Sequence, residues 1–474
     1  MLTKRLRKAV IIATAVGTIT TFVLLFHTNP EYVQNVHDKI KSQEMGLGDL
    51  RDNFEYYQNL MANYTSSFYE DLTRNIDALK NTDGILQNPS DMRALLSPAF
   101  EEGSIKPKDA LRENVGFFSN IVKKKIDEPK NLKLVKIGEL ESTEGYVREN
   151  ATFVSLVRNS ELKGIVGTIK QIEDTFNSKY HYPYVFLNDQ PFTKKFKQAI
   201  QEATESKCFF EQVPAEDWDR PSNIDPKREE EGVKYLEEKG VGYARKLSYH
   251  NMCRYYSGKF YNHPRLQQYR YYWRVEPKTN YFCDIDYDVF KFMNDNNKIY
   301  GFVLNLYDSP DSVQSLWPVT MEFLSKNPQY LHKNAATTWL RENLQNPDNF
   351  KGAHGYSTCH FWSNFEIGDM DFFRGEAYST WMDFLNEAGG FYYERWGDAP
   401  VHSIGLGLFA DKSQIHWFRD IGYEHFPYYN CPVSSKCHGR CKAGKFSQWT
   451  SLDDQNCQAT WAKYEMTEKE LEYY

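Results

Sequence analysis

Residues 151–189, "ATFVSLVRNSELKGIVGTIKQIEDTFNSKYHYPYVFLND", decide the fold. The segment opens with a short apolar run, "ATFVSLV", which reads as a buried strand ending at Arg158 and Asn159. The stretch "ELKGIVGTIKQIEDTFN" has helical period, and "YPYVFLND" is a second strand. The pattern continues outward. "QPFTKKFKQAIQEATES" is again helical, and "KCFFEQV" is a third strand. Strand–helix–strand alternation predicts an α/β fold with a parallel sheet of Rossmann-like type. In such open sheets ligands lie beyond the carboxyl ends of the strands, which puts Arg158, Asn188 and Asp189 on a rim where a nucleotide can sit. The sequence contains neither GxGxxG nor GxxxxGK[ST], which argues against NAD enzymes and P-loop kinases.

Four stretches carry possible chemistry. In "YYWRVEPKTNYFCDIDYDVF", residues 271–290, Arg274 and Glu276 flank Val275 and therefore point the same way on a strand. Glu276 at a strand end, followed by Asp284, Asp286 and Asp288, is what a hard divalent cation needs, since diphosphate-bridging metals use one or two protein carboxylates. The alternative is a solvated acidic face. In "CHFWSNFEIGDMDFFR", residues 359–374, Glu366 sits among Phe361, Trp362 and Phe365, with Asp369 and Asp371 beyond. A carboxylate in apolar surroundings is costly unless paired, and against a sugar ring it can act as nucleophile or stabilise an oxocarbenium-like transition state. The third stretch, residues 389–432, interleaves Glu394, Arg395, Asp398, His402, His416, Arg419, Asp420 and His425 with aromatics. Imidazole there suits Mn²⁺ or Zn²⁺, although His402 and His416 read more simply as structural. The sequence has no HExxH, which argues against a zincin protease. The fourth, "GYARKLSYHNMCRYYSGKFYNHP", residues 242–264, is basic and Tyr-rich, and suits a diphosphate or a glycan unless it is an ordinary amphipathic helix.

The flanks suggest a secretory protein. Lys4, Arg5, Arg7 and Lys8 precede an uncharged run, Ala9 to Phe26. At a rise of about 1.5 Å per residue that run spans roughly 27 Å, close to a bilayer core, and it is longer than a signal-peptide apolar region. It reads as a signal anchor that leaves the cations cytosolic and the rest luminal. Residues 1–8 are then a cytosolic tail, 9–26 the transmembrane anchor and 27–145 a luminal stem, charged and without Cys or Trp. Residues 146–474 form the body. Two sequons, at Asn63 and Asn150, agree with a luminal body. So do eight cysteines, read as disulfides in an oxidising compartment rather than a zinc site at Cys431, Cys437, Cys441 and Cys457, whose spacing fits no common finger. Net charge −7 argues against nucleic acid as a partner. Aromatics make up 16 % of residues, with Tyr prominent, which suits sugars and bases as well as a core.

Taken together, "SYHNMCRYYSGKFY", "YYWRVEP", "YSTCHFWSNFEIGDMDFFR", "GGFYYERWGDAPVHSI" and "IHWFRDIGYEHFPYYNCP" resemble blocks of the fungal Golgi α-1,2-mannosyltransferases, glycosyltransferase family 15. The resemblance runs from about residue 150 to 432. It implies a type II Golgi membrane protein with a GT-A-like, mixed-sheet catalytic domain. Such a domain uses GDP-mannose and Mn²⁺ and transfers mannose, with retention, to the 2-OH of mannose on N- or O-linked glycoprotein glycans of the cell wall. It further implies Mn²⁺ ligation by Glu276 and His425, with Glu424 one register away, and Glu366 as nucleophile or stabiliser of the anomeric carbon. Tyr249 is implied near the diphosphate and acceptor. Arg158, Asp189, Arg274 and Asp398 are the remaining donor- or acceptor-binding candidates. On the resemblance, the aromatics beside Glu366 are expected to wall the sugar pocket. The rival readings are a luminal lectin-like receptor and a transferase for another nucleotide sugar.

Overall fold

The computed structural model describes residues 94–139 and 146–474. The cytosolic tail, the anchor run 9–26, the sequon at Asn63 and most of the expected stem lie outside the described residues. Among the described residues, no helix is long and apolar enough to cross a membrane.

Twelve strands are present among these residues: β1 (Ala151–Leu156), β2 (Tyr184–Asn188), β3 (Cys208–Gln212), β4 (Tyr271–Arg274), β5 (Asn280–Tyr281), β6 (Tyr300–Phe302), β7 (Asn305–Tyr307), β8 (Cys359–Phe361), β9 (Ile367–Asp369), β10 (Ile415–Trp417), β11 (Tyr423–His425) and β12 (Tyr428–Asn430). Seven form the main sheet in the order β10-β6-β9-β4-β1-β2-β3. β1 runs parallel to β2, with Phe153 opposite Tyr184, and parallel to β4, with Phe153 opposite Trp273. β9 runs antiparallel to both β4 and β6, so the sheet is mixed. Gly368 allows this pairing, because a Cβ there would come within 2.6 Å of the Tyr272 ring.

The apolar runs of β1 and β2 are buried on both faces, as parallel strands covered by helices require. Helix Leu162–Ile172 lays Ile165, Ile169 and Ile172 on one face of the sheet, each worth about 1.5–3 kcal/mol when fully buried. The sequence pattern ran the helix on to Asn177; the chain instead widens into a π turn over Glu173–Asn177, where Glu173 accepts from Tyr184 Oη at 2.7 Å and Thr204 Oγ1 at 2.8 Å. Thr193 caps the next helix, Lys194–Gln201, by accepting from Phe196 N at 3.1 Å. The core is largely aromatic, with Phe153, Phe176, Trp273, Phe290 and Phe365 in one cluster.

Three expectations are corrected. Residues 94–139, assigned to the stem by composition, are packed on the body. In helix Pro107–Val122, Ile121 and Val122 are buried and Phe118 meets Trp417 and Phe446; beyond the helix, Ile126 N donates to Val433 O at 3.0 Å. The few apolar residues of a charged segment suffice to dock it on an aromatic surface. The zinc alternative is removed, because all four of its cysteines are in disulfides: Cys431–Cys441, Cys283–Cys437 and Cys359–Cys457. Cys208 and Cys253 remain thiols, so the disulfide reading covers six of the eight cysteines. The acidic run is structural. Asp288 is a buried helix cap that accepts from Phe290 N at 3.0 Å and Tyr182 Oη at 2.7 Å, and Asp286 pairs with Lys436 at 2.8 Å. Asp284 is exposed and faces His438 at 3.9 Å.

Candidate active site

A cavity of about 570 Å³ opens beyond the carboxyl ends of β1, β2 and β4. Its size is that of pockets that bury small ligands. The strands deliver its first wall: Arg158 follows β1, Asn188 and Asp189 end β2, and Arg274 and Glu276 end β4. Helix Leu247–Gly258 turns Ser248, Tyr249, Met252 and Tyr256 toward the cavity, while His250 and Arg254 are buried behind with backbone carbonyls as partners. Helix Asp398–Phe409 presents its amino-terminal residues Asp398, Ala399 and Pro400. The antiparallel strands β5, β11 and β12 bring His425 and Tyr428 to the same mouth.

Arg274 organises the floor. Its Nε donates to Glu276 Oε1 at 2.8 Å and its Nη1 to Asp398 Oδ2 at 2.5 Å, with Glu366 Oε1 at 3.6 Å. The guanidinium lies 3.5 Å from the Tyr256 ring centroid. Arg274 is 5 % exposed and Asp398 6 %, so the pairing is what makes these charges tolerable away from water. Burial pushes the Asp398 carboxyl up, but Arg274 and His402 outweigh it and hold the group below the usual range. Ser363 Oγ also donates to Asp398 Oδ2 at 2.7 Å. Glu276 is raised by burial despite Arg274.

His425 fits a cation ligand. Its Nδ1 is buried with no hydrogen-bond partner among the described residues, and burial together with Arg274 lowers its pKa, which keeps the ring neutral. Glu424, one residue away, accepts from Asn280 Nδ2 at 2.7 Å, and His425 rather than Glu424 lines the cavity. Among the described residues, no trio of His, Cys, Asp or Glu ligand atoms gathers except at the disulfide cysteines 283, 437 and 441. A cation here would have Glu276 and His425 as its candidate protein ligands, leaving its other positions to a diphosphate and water.

Glu366 departs from expectation. The residue is 0 % exposed and does not line the cavity. Its Oε2 accepts from Tyr300 Oη at 2.9 Å and faces His402 Nδ1 at 2.9 Å, one layer behind Arg274. Of the neighbouring aromatics only Trp362 reaches the cavity, against His425 at 5.0 Å between centroids; Phe361 and Phe365 belong to the core. The acids Asp369 and Asp371 face Arg270, and Asp369 caps a short helix away from the cavity by accepting from Asp371 N at 3.0 Å.

The cavity also contains residues that sequence reasoning passed over. Asp308, after β7, accepts from Arg395 Nη2 at 3.1 Å, and Arg395 Nη1 approaches Tyr249 Oη at 3.5 Å. Tyr243 stacks on Tyr249 at 4.6 Å. Arg158 is held by Glu161 at 2.9 Å.

The family model described as glycolipid 2-alpha-mannosyltransferase matches residues 108–466. The chain belongs to the glycolipid 2-alpha-mannosyltransferase family. It is 45 % identical to the probable mannosyltransferase KTR4 of Saccharomyces cerevisiae, over 100 % of this chain and 99 % of the relative. Among solved structures it is similar to the S. cerevisiae mannosyltransferase Ktr4p in complex with GDP, with a TM-score of 0.78 and 48 % identity, covering 81 % of this chain and 98 % of that one. It also resembles core-mannan synthase A (CmsA/Ktr4) from Aspergillus fumigatus in its Mn/GDP form, with a TM-score of 0.70 and 51 % identity, covering 72 % and 93 %. In this member of the 2-alpha-mannosyltransferase family, Arg158, Asp189, Tyr249, Arg274, Glu276, Asp398 and His425 share one cavity, and Glu366 lies behind it.

Proposed function

We propose that the protein is a retaining α-1,2-mannosyltransferase that moves mannose from GDP-mannose to the 2-OH of a mannose on N- or O-linked glycans. The observation that carries this reading is the single cavity at the carboxyl edge of the sheet, which combines a paired arginine–carboxylate floor, two metal-ligand candidates and aromatic walls. Its 45 % identity along the whole chain to a probable mannosyltransferase supports the same conclusion.

Glu276 and His425 would hold Mn²⁺, which when bound neutralises charge on the departing diphosphate. The rim residues Arg158 and Asp189 orient the nucleoside part of the donor. Tyr249, tied to Arg395 and Asp308, bounds the space between diphosphate and acceptor. In the transfer the bond between mannose C1 and the β-phosphate oxygen breaks, and a bond from the acceptor 2-oxygen to C1 forms on the same face. The acceptor proton passes to the departing GDP. Arg274 and Asp398 set the local field where positive charge develops on the sugar. Because the Glu366 carboxylate is enclosed behind this pair, the geometry favours Glu366 as an electrostatic support over Glu366 as covalent nucleophile. The anchor run 9–26 and the three disulfides support a Golgi membrane protein with a luminal body.

The reading is tested by following GDP release from GDP-mannose with purified luminal protein. Release should require both Mn²⁺ and a mannoside acceptor. Equal turnover with another nucleotide sugar, or mannoside binding without release, would replace it by one of the rival readings.

A further inference from the structure

We propose that His402 is a positioning residue, an imidazolium clamped between the Glu366 carboxylate and the Tyr256 carbonyl, which fixes Glu366 as an anion beside Arg274. His402 lies on helix Asp398–Phe409, is 0 % exposed and has both ring nitrogens engaged. Nε2 is 2.9 Å from Tyr256 O. A backbone carbonyl can only accept, so Nε2 carries a proton. Nδ1 is 2.9 Å from Glu366 Oε2, an oxygen that also receives the Tyr300 hydroxyl at 2.9 Å. Two acceptors facing the two nitrogens of one ring call for the doubly protonated form.

The alternative is a neutral ring against a protonated Glu366. The charges around the pair oppose it. Arg274 Nη1 is 3.6 Å from Glu366 Oε1, within ion-pair reach of it. Burial and the Arg274 cation both disfavour a charged imidazole, yet Glu366, joined by Asp398 on the same helix, outweighs them and raises the His402 pKa. The other groups packed on the ring are Phe373, Phe260 and Tyr378, and Tyr272 of β4 lies in the same layer against Glu366; none of these is a cation at neutral pH. The arrangement balances Arg274 and His402 against Glu366, Asp398 and Glu276.

Neither His402 nor Glu366 lines the cavity, so both act through Arg274 and Asp398, which do. The kinetic part of this proposal rests on the transferase reading above; the protonation part does not. Histidine ¹⁵N spectra of the full luminal protein, with H402Q to assign the signal, test the protonation directly. His402 is expected to show two protonated nitrogens at pH 7.5 and to titrate on the alkaline side of the other histidines. A ring with one bare nitrogen at pH 7.5 would overturn the proposal.

In kinetics, H402Q keeps a donor toward Glu366 but loses the charge. It should lower kcat at least tenfold, with the GDP-mannose KM and GDP affinity within twofold of the parent. The parent kcat should fall at alkaline pH as His402 loses its proton, and H402Q should lack that fall. The H402Q/E366Q pair, which removes both charges, should be less impaired than the product of the single effects. An unchanged kcat and pH profile, or a loss that follows GDP affinity and thermal stability alone, would leave His402 as ordinary core. A parent protein that releases no GDP from GDP-mannose would instead refute the transferase reading, and the spectra would still decide the state of His402.

Discussion

Replacing Arg274 with methionine isolates the electrostatic core of the site. Methionine fills much of the same space but leaves Asp398, Glu276 and Glu366 without their shared cation. Asp398 and Glu276 accept from Arg274 at 2.5 and 2.8 Å, and Arg274 is 5 % exposed, so solvent screening is small. Removing one partner of a buried ion pair costs about 3–5 kcal/mol. The penalty has a definite pH dependence. In the parent protein Asp398 is held below its ordinary pKa, so its contribution is present at neutral pH and is lost as pH falls through the folded value. In R274M the cation is gone and burial raises Asp398, so the strain is present at neutral pH and relieved on acidification. The difference between the two proteins should therefore be greatest above about pH 6 and shrink toward pH 4, near the ordinary carboxylate range. Urea unfolding followed by tryptophan fluorescence at pH 7.5, 6 and 4.5 measures it. A loss below about 1 kcal/mol at pH 7.5, the scale of an exposed ion pair, or one that does not narrow with acid, would refute the idea that Arg274 neutralises this floor.

Three further outcomes follow from the geometry. E276Q and H425A should each raise the Mn²⁺ concentration needed for half-maximal GDP release by about tenfold or more, on the scale at which altered metal shells act, while the fold is kept by circular dichroism. D284N and D286N should leave that Mn²⁺ requirement unchanged, because both acids point to lysine or histidine away from the cavity, and a shift with either would reinstate the acidic run as a cation site. Breaking Cys359–Cys457 with C359S/C457S should cost about 2–5 kcal/mol by thermal or urea unfolding, since it closes a loop of 98 residues, while C208S should change stability by less than about 1 kcal/mol.

Much of the frame was legible because its signals are local. β1 and β2 are buried on both faces, so they appear in the sequence as unbroken apolar runs, and the intervening helix repeats its isoleucines on one side. Arg274 and Glu276 announced themselves by their spacing of two. Less was legible where an element is only three residues long, as in β7, β8, β11 and β12, which carry no periodicity to read. The acidic run misled because the partners that explain Asp288, Tyr146 and Tyr182, are more than a hundred residues away in sequence. Glu366 misled for a related reason. Aromatic neighbours in sequence suggested a sugar wall, but β8 and the turn before β9 send Phe361 and Phe365 into the core and leave only Trp362 outside. Arg395 was marked by its charged and aromatic stretch, but nothing local linked it to Asp308, since only the fold brings residues 87 apart to 3.1 Å.

The most direct test is the structure of the product. The purified protein, given GDP-mannose, Mn²⁺ and methyl α-mannoside, should yield a disaccharide whose ¹H NMR spectrum shows one new α-anomeric signal and a substituted O2 on the acceptor. A β-anomeric product, or an α-mannose attached at any other hydroxyl, would contradict the account.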